Sequence, residues 1–295
     1  SPPRRATPPE SPPNIACIRP SADRLALPPR PLAPPSLHLR MNHEHTATGE
    51  PAFSLRRVDA PSAGAASSVP TRREASHRLV DGFGRRIDYL RLSVIDRCNL
   101  RCRYCMPADP GGFLAPEDWL TFDDIVTLLR VATSLGVERV RLTGGEPLLR
   151  PDLDVLVSRI RHETDIREIA VTTNGIGLEQ QAPRLAAAGL RRLNVSVDSL
   201  HEDTFRRITR RSGLDRVWRG IDAARRAGID RIHVNNVVMA DLNDHEIDDW
   251  VEMTRHDDVV VRFLEVMPIG EALRPSSGVR YVDVSAVRRR LIERW

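Results

Sequence analysis

The chain has 295 residues, 44 basic and 40 acidic, and every basic residue is arginine. No apolar run approaches the roughly 20 residues that a membrane-spanning helix needs, and no apolar core follows the N-terminal arginines, which argues against a secretory signal. The net charge of +4 is uneven: residues 1–87 hold 13 arginines against seven acids, and the rest of the chain holds 31 against 33. The part with globular texture is therefore slightly acidic with interleaved charges, which predicts solvated helix faces and no nucleic-acid partner.

Residues 1–75 lack both helical and strand periodicity and hold most of the prolines, 15 of 23 by residue 70. Such composition buries too little apolar surface to offset chain entropy, so a disordered Pro/Arg-rich tail is predicted. Met41 is the sole methionine before Met106, which suggests that translation begins near Met41 and that the residues before it are read-through. Cys17 in this tail has no evident partner.

From Asp81 the texture changes. Asp81–Gly84 reads as a turn, and Ile87–Ile95 alternates as a strand. Thr121 and Asp124 open a helix over Phe122–Leu135, stopped by Gly136. Strand Arg139–Leu142, helix Leu153–His162, strand Ile169–Thr173 and helix Leu178–Ala188 follow, the last stopped by Gly189. Then come strand Leu193–Val197, helices Glu202–Thr209 and Leu214–Ala227 with Gly228 as stop, strand Ile232–Met239, helix Asp244–Arg255 and strand Val259–Glu265. A last helix is expected over Val284–Trp295. This alternation predicts an α/β fold with parallel strands and crossover helices. It fits a partly closed barrel or a doubly wound sheet, and periodicity does not choose between them. In either, chemistry belongs at the C-terminal ends of the strands.

Cys98, Cys102 and Cys105 stand in the spacing C-x3-C-x2-C directly after the first strand. Three clustered thiols make a poor disulfide framework and read as a metal site in a reducing compartment. Three thiolates on one loop can hold three irons of a cubane and leave the fourth open, and soft thiolates suit iron–sulfur chemistry. The alternatives are a zinc site completed from elsewhere, or three ordinary buried thiols; zinc loops favour paired C-x2-C halves, and only one half is present. Gly144-Gly145-Glu146-Pro147 follows the second strand. By itself it is a turn; beside the cysteine loop it offers exposed amides and, in Glu146, an acceptor for an ammonium group.

Together these two motifs resemble the radical S-adenosylmethionine enzymes. Between Asp81 and about Pro268 the match is closer, to the GTP cyclases of molybdenum-cofactor biosynthesis. It rests on Tyr89-Leu90-Arg91-Leu92-Ser93-Val94, Cys105-Met106-Pro107, Arg141-Leu142-Thr143-Gly144-Gly145-Glu146-Pro147-Leu148, Thr172-Thr173-Asn174-Gly175, the run from Ala188 to Asp198, Val234-Asn235 and Arg262-Phe263-Leu264-Glu265.

The resemblance implies a partial (βα)6 TIM-like barrel over 81–268, with 269–295 the start of a truncated C-terminal region. It implies a [4Fe-4S] cluster on Cys98, Cys102 and Cys105, with S-adenosylmethionine on the open iron and Tyr104, Gly145, Ser196 and Met267 contacting it. By position Arg91, Arg141 and Thr172 match contacts to GTP, and Arg262 is a weaker candidate; permanently charged, bidentate guanidinium groups suit triphosphate oxygens. The implied reaction is hydrogen abstraction from the ribose 3′ carbon of GTP, followed by bonding of that carbon to guanine C8. The implied partners are GTP, an electron donor and the next enzyme of molybdopterin synthesis, without nucleic acid or membrane, in the cytoplasm; a homodimer is compatible with the pattern.

Two departures stand out. Where the family carries lysine before Val-Asn, this chain has His233, shorter and largely neutral at pH 7. The family also holds a second [4Fe-4S] cluster on a C-terminal cysteine triplet, and this chain reaches Trp295 with no cysteine after Cys105. The sequence therefore predicts a radical-generating half with little or no cyclisation in this form. The competing readings are another radical S-adenosylmethionine enzyme, such as a peptide-modifying one, and an inactive iron–sulfur-binding fragment.

Overall fold

The computed structural model describes residues 78–295; the expectations for the N-terminal tail, Met41 and Cys17 lie outside the described residues. Asp81 shapes the entry turn, its carboxylate accepting from the backbone N–H of Phe83 (2.9 Å) and Arg85 (3.0 Å). Six strands follow: β1 (Tyr89–Ser93), β2 (Arg139–Thr143), β3 (Glu168–Thr173), β4 (Arg192–Ser196), β5 (Arg231–Val238) and β6 (Val260–Glu265). All pair in parallel, in the order β1-β2-β3-β4-β5-β6. A doubly wound sheet reverses strand order at a switch point. This one never does, which decides the alternative left open above in favour of the partial barrel.

The crossovers carry α1 (Phe122–Ser134), α2 (Leu153–Glu163), α3 (Leu178–Ala187), α4 (Glu202–Thr209), α5 (Leu214–Arg226) and α6 (Ile247–Thr254); α7 (Val284–Arg294) comes last. Thr121 and Asp124 form a reciprocal capping box at the start of α1, satisfying two backbone donors that a helix end leaves unpaired. Gly136, Gly189 and Gly228 stand just beyond α1, α3 and α5, as their sequence positions imply.

Two boundaries differ from expectation for visible reasons. The first strand begins two residues late because the Ile87 N–H turns back to Leu79 C=O (2.9 Å). The sixth helix begins three residues late because 244–246 form a separate 3-10 turn. That turn is pinned to the end of β4: the buried Glu246 carboxylate accepts from Ser199 Oγ and Leu200 N–H, both at 2.8 Å.

Side chains alternate across the sheet. One face carries Val140, Leu142, Val171, Leu193, Val195, Ile232 and Val234, which join Leu129, Leu156, Leu185 and Val217 from the helices in one buried core. The opposite face, turned away from the helices, carries Arg91, Arg141, Thr172, Arg192, Asn194, Ser196, His233 and Arg262, most of them half-buried. Among the described residues no helix is long and apolar enough to cross a membrane.

Candidate active site

The loop after β1 and the loop after β2 are stacked backbone on backbone. Gly145 N–H donates to Ile95 C=O and Glu146 N–H to Arg97 C=O, both at 2.7 Å. A Cβ on Gly144 would meet Ile95 O at 2.1 Å, and one on Gly145 would meet Arg97 O at 2.1 Å. No side chain fits at such separations, so the double glycine is required by loop-on-loop packing. This corrects the expectation of exposed ligand-facing amides here, because the amides of Gly145 and Glu146 are already spent on the cysteine loop. Glu146 is tied down as well. It is 2% exposed, and its carboxylate accepts from Leu148 N–H (3.0 Å), Thr173 Oγ1 (2.6 Å) and Asn174 N–H (2.7 Å). With three donors bound it is a staple between β2 and β3, and since it also lines the cavity of the cysteines, a carboxylate's remaining lone pair is left for a further donor. Burial pushes its pKa to about 6, opposed by those same hydrogen bonds.

Cys98, Cys102 and Cys105 are free thiols. They line one cavity of about 200 Å³ together with Tyr104, Gly145, Thr172, Ser196 and Asp198. Burial raises the pKa of all three, most for Cys102, where the Asp198 carboxylate and the neighbouring thiols add to it. In this environment the thiols keep their protons until cations arrive to stabilise the thiolates, so metal uptake must release protons. Among the described residues no three His, Cys, Asp or Glu side chains converge on a single ion. A cubane does not ask for that, since each thiolate takes its own iron. Three soft donors opening on one cavity, with room for a small-molecule ligand beside them, fit such a cluster.

Tyr104 is the hinge between this cavity and a larger one of about 900 Å³, which also takes in Cys105, Arg91, Phe263 and Met267. Its hydroxyl donates to Asp198 Oδ2 at 2.8 Å. Asp198 is 3% exposed and also accepts from Val237 N–H at 2.9 Å. Burial pushes its pKa to about 6 against those two bonds. The sequence pattern brought Asp198 into view only as the end of a matched string; the link to Tyr104 spans 94 residues and no local signal announces it.

The inner face of the sheet supplies the positive charge. Arg91 on β1 lies opposite Arg141 on β2, and Asn194 lies opposite His233. Arg141 stacks 5.2 Å over the Tyr89 ring. Burial weakens its hold on its proton, and repulsion from Arg192, Arg91 and Arg262 adds to that effect. His233 is held below its usual 6.5 by burial, then by Arg262, Arg192 and Arg141. These groups therefore share one field, and Glu168, which binds Arg192 at 2.8 Å, is the acid paired there. Among the described residues ten buried side-chain atoms lack a hydrogen-bond partner; six belong to Tyr89, Arg141, Thr172, Arg192, Asn194 and His233 on this face. Buried polar atoms are rarely left unpaired, so their convergence points to a ligand.

Of the residues singled out in the sequence, the structure gathers Tyr104, Gly145, Thr172 and Ser196 around the cysteines, and Arg91 and Met267 around the adjoining cavity. Arg141 and His233 line neither cavity and belong to the inner-face cluster. Arg192 and Asn194 were missed, although they share strand parity with Ser196; β4 alternation was the signal that could have found them.

The model of the radical SAM superfamily matches residues 92–254. The chain is 45% identical over 213 residues to a GTP 3′,8-cyclase of Moorella thermoacetica, covering 72% of this chain and 65% of that one. It is 41% identical over 216 residues to a GTP 3′,8-cyclase of Petrotoga mobilis, covering 73% and 67%. The chain belongs to the radical SAM superfamily, in its GTP 3′,8-cyclase family. A third family member, from Geobacter sulfurreducens, is 48% identical over 190 residues, covering 64% of this chain and 58% of its own. The chain thus spans between 58% and 67% of the length of these three relatives. The solved structure of SuiB from Streptococcus suis with its precursor peptide SuiA aligns with a TM-score of 0.53 at 20% identity, over 68% of this chain and 44% of that one; at that identity the likeness is one of fold. Superfamily membership brings a [4Fe-4S] cluster and S-adenosylmethionine as cofactors.

Proposed function

We propose that this chain is the radical-generating and triphosphate-binding part of a GTP 3′,8-cyclase, which converts GTP to (8S)-3′,8-cyclo-7,8-dihydroguanosine 5′-triphosphate. The core doing this work is proposed to run over 81–268, with 269–295 leading into a following region. When bound, the cluster and S-adenosylmethionine supply one-electron chemistry that removes a hydrogen atom from the substrate ribose. Everything else falls to the protein. Cys98, Cys102 and Cys105 hold three irons. Tyr104, Gly145, Ser196 and Met267 border the space for S-adenosylmethionine, and Asp198 fixes the Tyr104 ring by accepting from its hydroxyl. Arg91, Arg141, Thr172 and His233, with Arg192 and Arg262 added, bind the triphosphate and hold the ribose toward the cysteine cavity. An electron donor is a required partner.

The observation that carries this reading is the set of unpartnered cationic and polar atoms on the inner face beside the three-thiol cavity. Like charges opposite one another destabilise a sheet, and several arginines sharing one half-buried face make sense with a polyanion among them. A peptide substrate would account for that concentration of charge only if it were acidic. The test is equilibrium binding of GTP, GMP and guanosine to the anaerobically reconstituted chain. Affinity should climb with phosphate number and fall with salt; guanosine binding as tightly as GTP would sink the proposal. Cys102→Ala should abolish the iron–sulfur absorbance.

A further inference from the structure

The cysteine loop is held from outside as well as by its own turn at Cys102. Its backbone is docked on the C-terminal end of α4, where helix carbonyls lack intrahelical partners. Arg101 N–H donates to Thr209 C=O at 2.9 Å and Arg103 N–H to Ile208 C=O at 3.0 Å. The residue that ends α4 is Arg210, in the left-handed conformation at φ 57°, ψ 20°. Among the described residues only Asp152 and Asp241 share a positive φ without being glycine. Both are aspartates, a type that tolerates this region; a long side chain there carries a steric cost.

That conformation aims the side chain. Arg210 Nη1 donates to Arg101 C=O (2.9 Å) and to Met106 C=O (3.2 Å), so one guanidinium grips the loop on either side of Cys102 and Cys105. Arg101 completes the bracket, its own Nη1 donating to Cys98 C=O (2.6 Å) and Leu100 C=O (2.8 Å). Cys102 and Cys105 are thereby held between carbonyls tied down by an arginine, and Cys98 is held through its own carbonyl. Most arginines on the helices instead meet carboxylates, as Arg159, Arg184 and Arg219 do; no ion pair engages Arg210 among the described residues.

We propose that Arg210 is a positioning residue for the cluster: its left-handed backbone and two-carbonyl grip hold the three-cysteine loop ready to receive iron and sulfide. This rests on the reading of the loop as a cluster site. Strain retained at a residue that then makes function-related contacts is how such positions are recognised, and partners that orient metal ligands are worth roughly ten- to a hundredfold in metal affinity.

The experiment follows anaerobic reconstitution of the 295-residue chain with ferrous iron and sulfide, comparing wild type, Arg210→Gly, Arg210→Lys and Arg207→Ala. It reads the rate of appearance of iron–sulfur absorbance, iron per chain, the unfolding midpoint of the metal-free chain, and the alkylation rate of Cys98, Cys102 and Cys105 by peptide mapping. Glycine is the favoured residue at a left-handed helix end, so Arg210→Gly should hold or raise the metal-free midpoint while assembly slows about tenfold or more and alkylation rises severalfold. Arg210→Lys, a single-point donor, should fall between. Arg207→Ala removes an equal charge from the same helix and should match wild type. Assembly and alkylation of Arg210→Gly at wild-type rates would overturn the proposal, as would an equal defect in Arg207→Ala. If Arg210→Gly lowers the metal-free midpoint, Arg210→Lys decides: slowed assembly at a native midpoint supports the role, native assembly refutes it. If wild type takes up no cluster, the cluster reading fails, while the alkylation rates still report whether Arg210 holds the loop.

Discussion

On its helix-covered face the six-stranded sheet carries Val140, Leu142, Val171, Leu193, Val195, Ile232 and Val234, all buried and closed over by helix side chains. One residue along each strand, the other face carries Arg91, Arg141, Thr172, Arg192, His233 and Arg262, with polar atoms left unpartnered and positive charges set within one another's field. The strands are the same, and so are the backbone hydrogen bonds. What differs is that one face is finished by the fold and the other is finished by something the fold receives. A slip of one residue in strand register would exchange the two faces, which is why the apolar face, by fixing register, also fixes where the arginines point. Stability and recognition are thus separated by parity, and they should respond to mutation separately.

The largest effect is expected on the finished face. Leu193 is fully buried on β4, and Leu193→Ala removes most of its side chain from a close-packed site. It should cost about 3 kcal/mol of unfolding free energy in urea, with GTP affinity of the folded fraction unchanged. On the receiving face the pattern should invert. Arg141→Met keeps the stacking volume over Tyr89 but removes a charge that its neighbours repel. GTP binding should weaken by roughly 10- to 100-fold, the worth of charge-assisted hydrogen bonds, and the unfolding midpoint of the ligand-free chain should hold or rise. An Arg141→Met chain that unfolds as readily as Leu193→Ala would erase the distinction between the faces.

Much of the finished face could be read from sequence, because burial follows local periodicity: α1 starts at its Thr121 cap, and β2 through β6 fall within two residues of their expected limits. The cysteines were legible for the same reason, lying within eight residues of one another. The receiving face was only half legible. Arg91, Arg141, Thr172 and His233 emerged from a family pattern, whereas Arg192 and Asn194 could be reached only by following β4 alternation back from Ser196, and what they face is set by the register that puts Thr172 beside Asn194 and Asn194 beside His233. The stapling role of Glu146 was not legible because its partners, Thr173 and Asn174, come from the end of the next strand, 27 and 28 residues on. Contacts across strands are set by the assembled sheet and leave no trace in local spacing.

His233 tests the receiving face more gently. In the ligand-free chain, burial and then Arg262, Arg192 and Arg141 hold its pKa below 6.5, with Glu168 the acid that opposes them, so it is neutral at pH 7. A triphosphate alongside favours the charged imidazolium, so binding should take up a proton and affinity should strengthen a few-fold as pH falls from 7 toward 6. The phosphate's own titration, near pH 6, works against this and is common to every variant. The informative quantity is therefore wild type against His233→Gln, titrated in parallel. His233→Lys should bind more tightly at pH 7 and lose the His-specific component. Parallel pH profiles for wild type and His233→Gln would mean that His233 does not face the anion.

The smallest expected effect closes the comparison from outside. Arg219 on α5 reaches Asp215 one turn back (2.6 Å) and Glu179 on α3 (3.2 Å), whereas Arg141 has no carboxylate partner among the described residues and Arg192 has one, Glu168. The Arg219 side chain is half-exposed, so water and salt already solvate much of what its two carboxylates offer, and such pairs contribute little. Arg219→Ala should leave the urea midpoint near its wild-type value at moderate salt, and GTP affinity unchanged. The reason lies in the surroundings, since Arg219 and Arg141 are chemically the same residue. A guanidinium in water loses little when removed, whereas one on a half-buried face among like charges is kept by the anion it binds. If Arg219→Ala weakened GTP binding as much as Arg141→Met, the effect would be one of overall charge, and the inner face would have no special claim on the triphosphate.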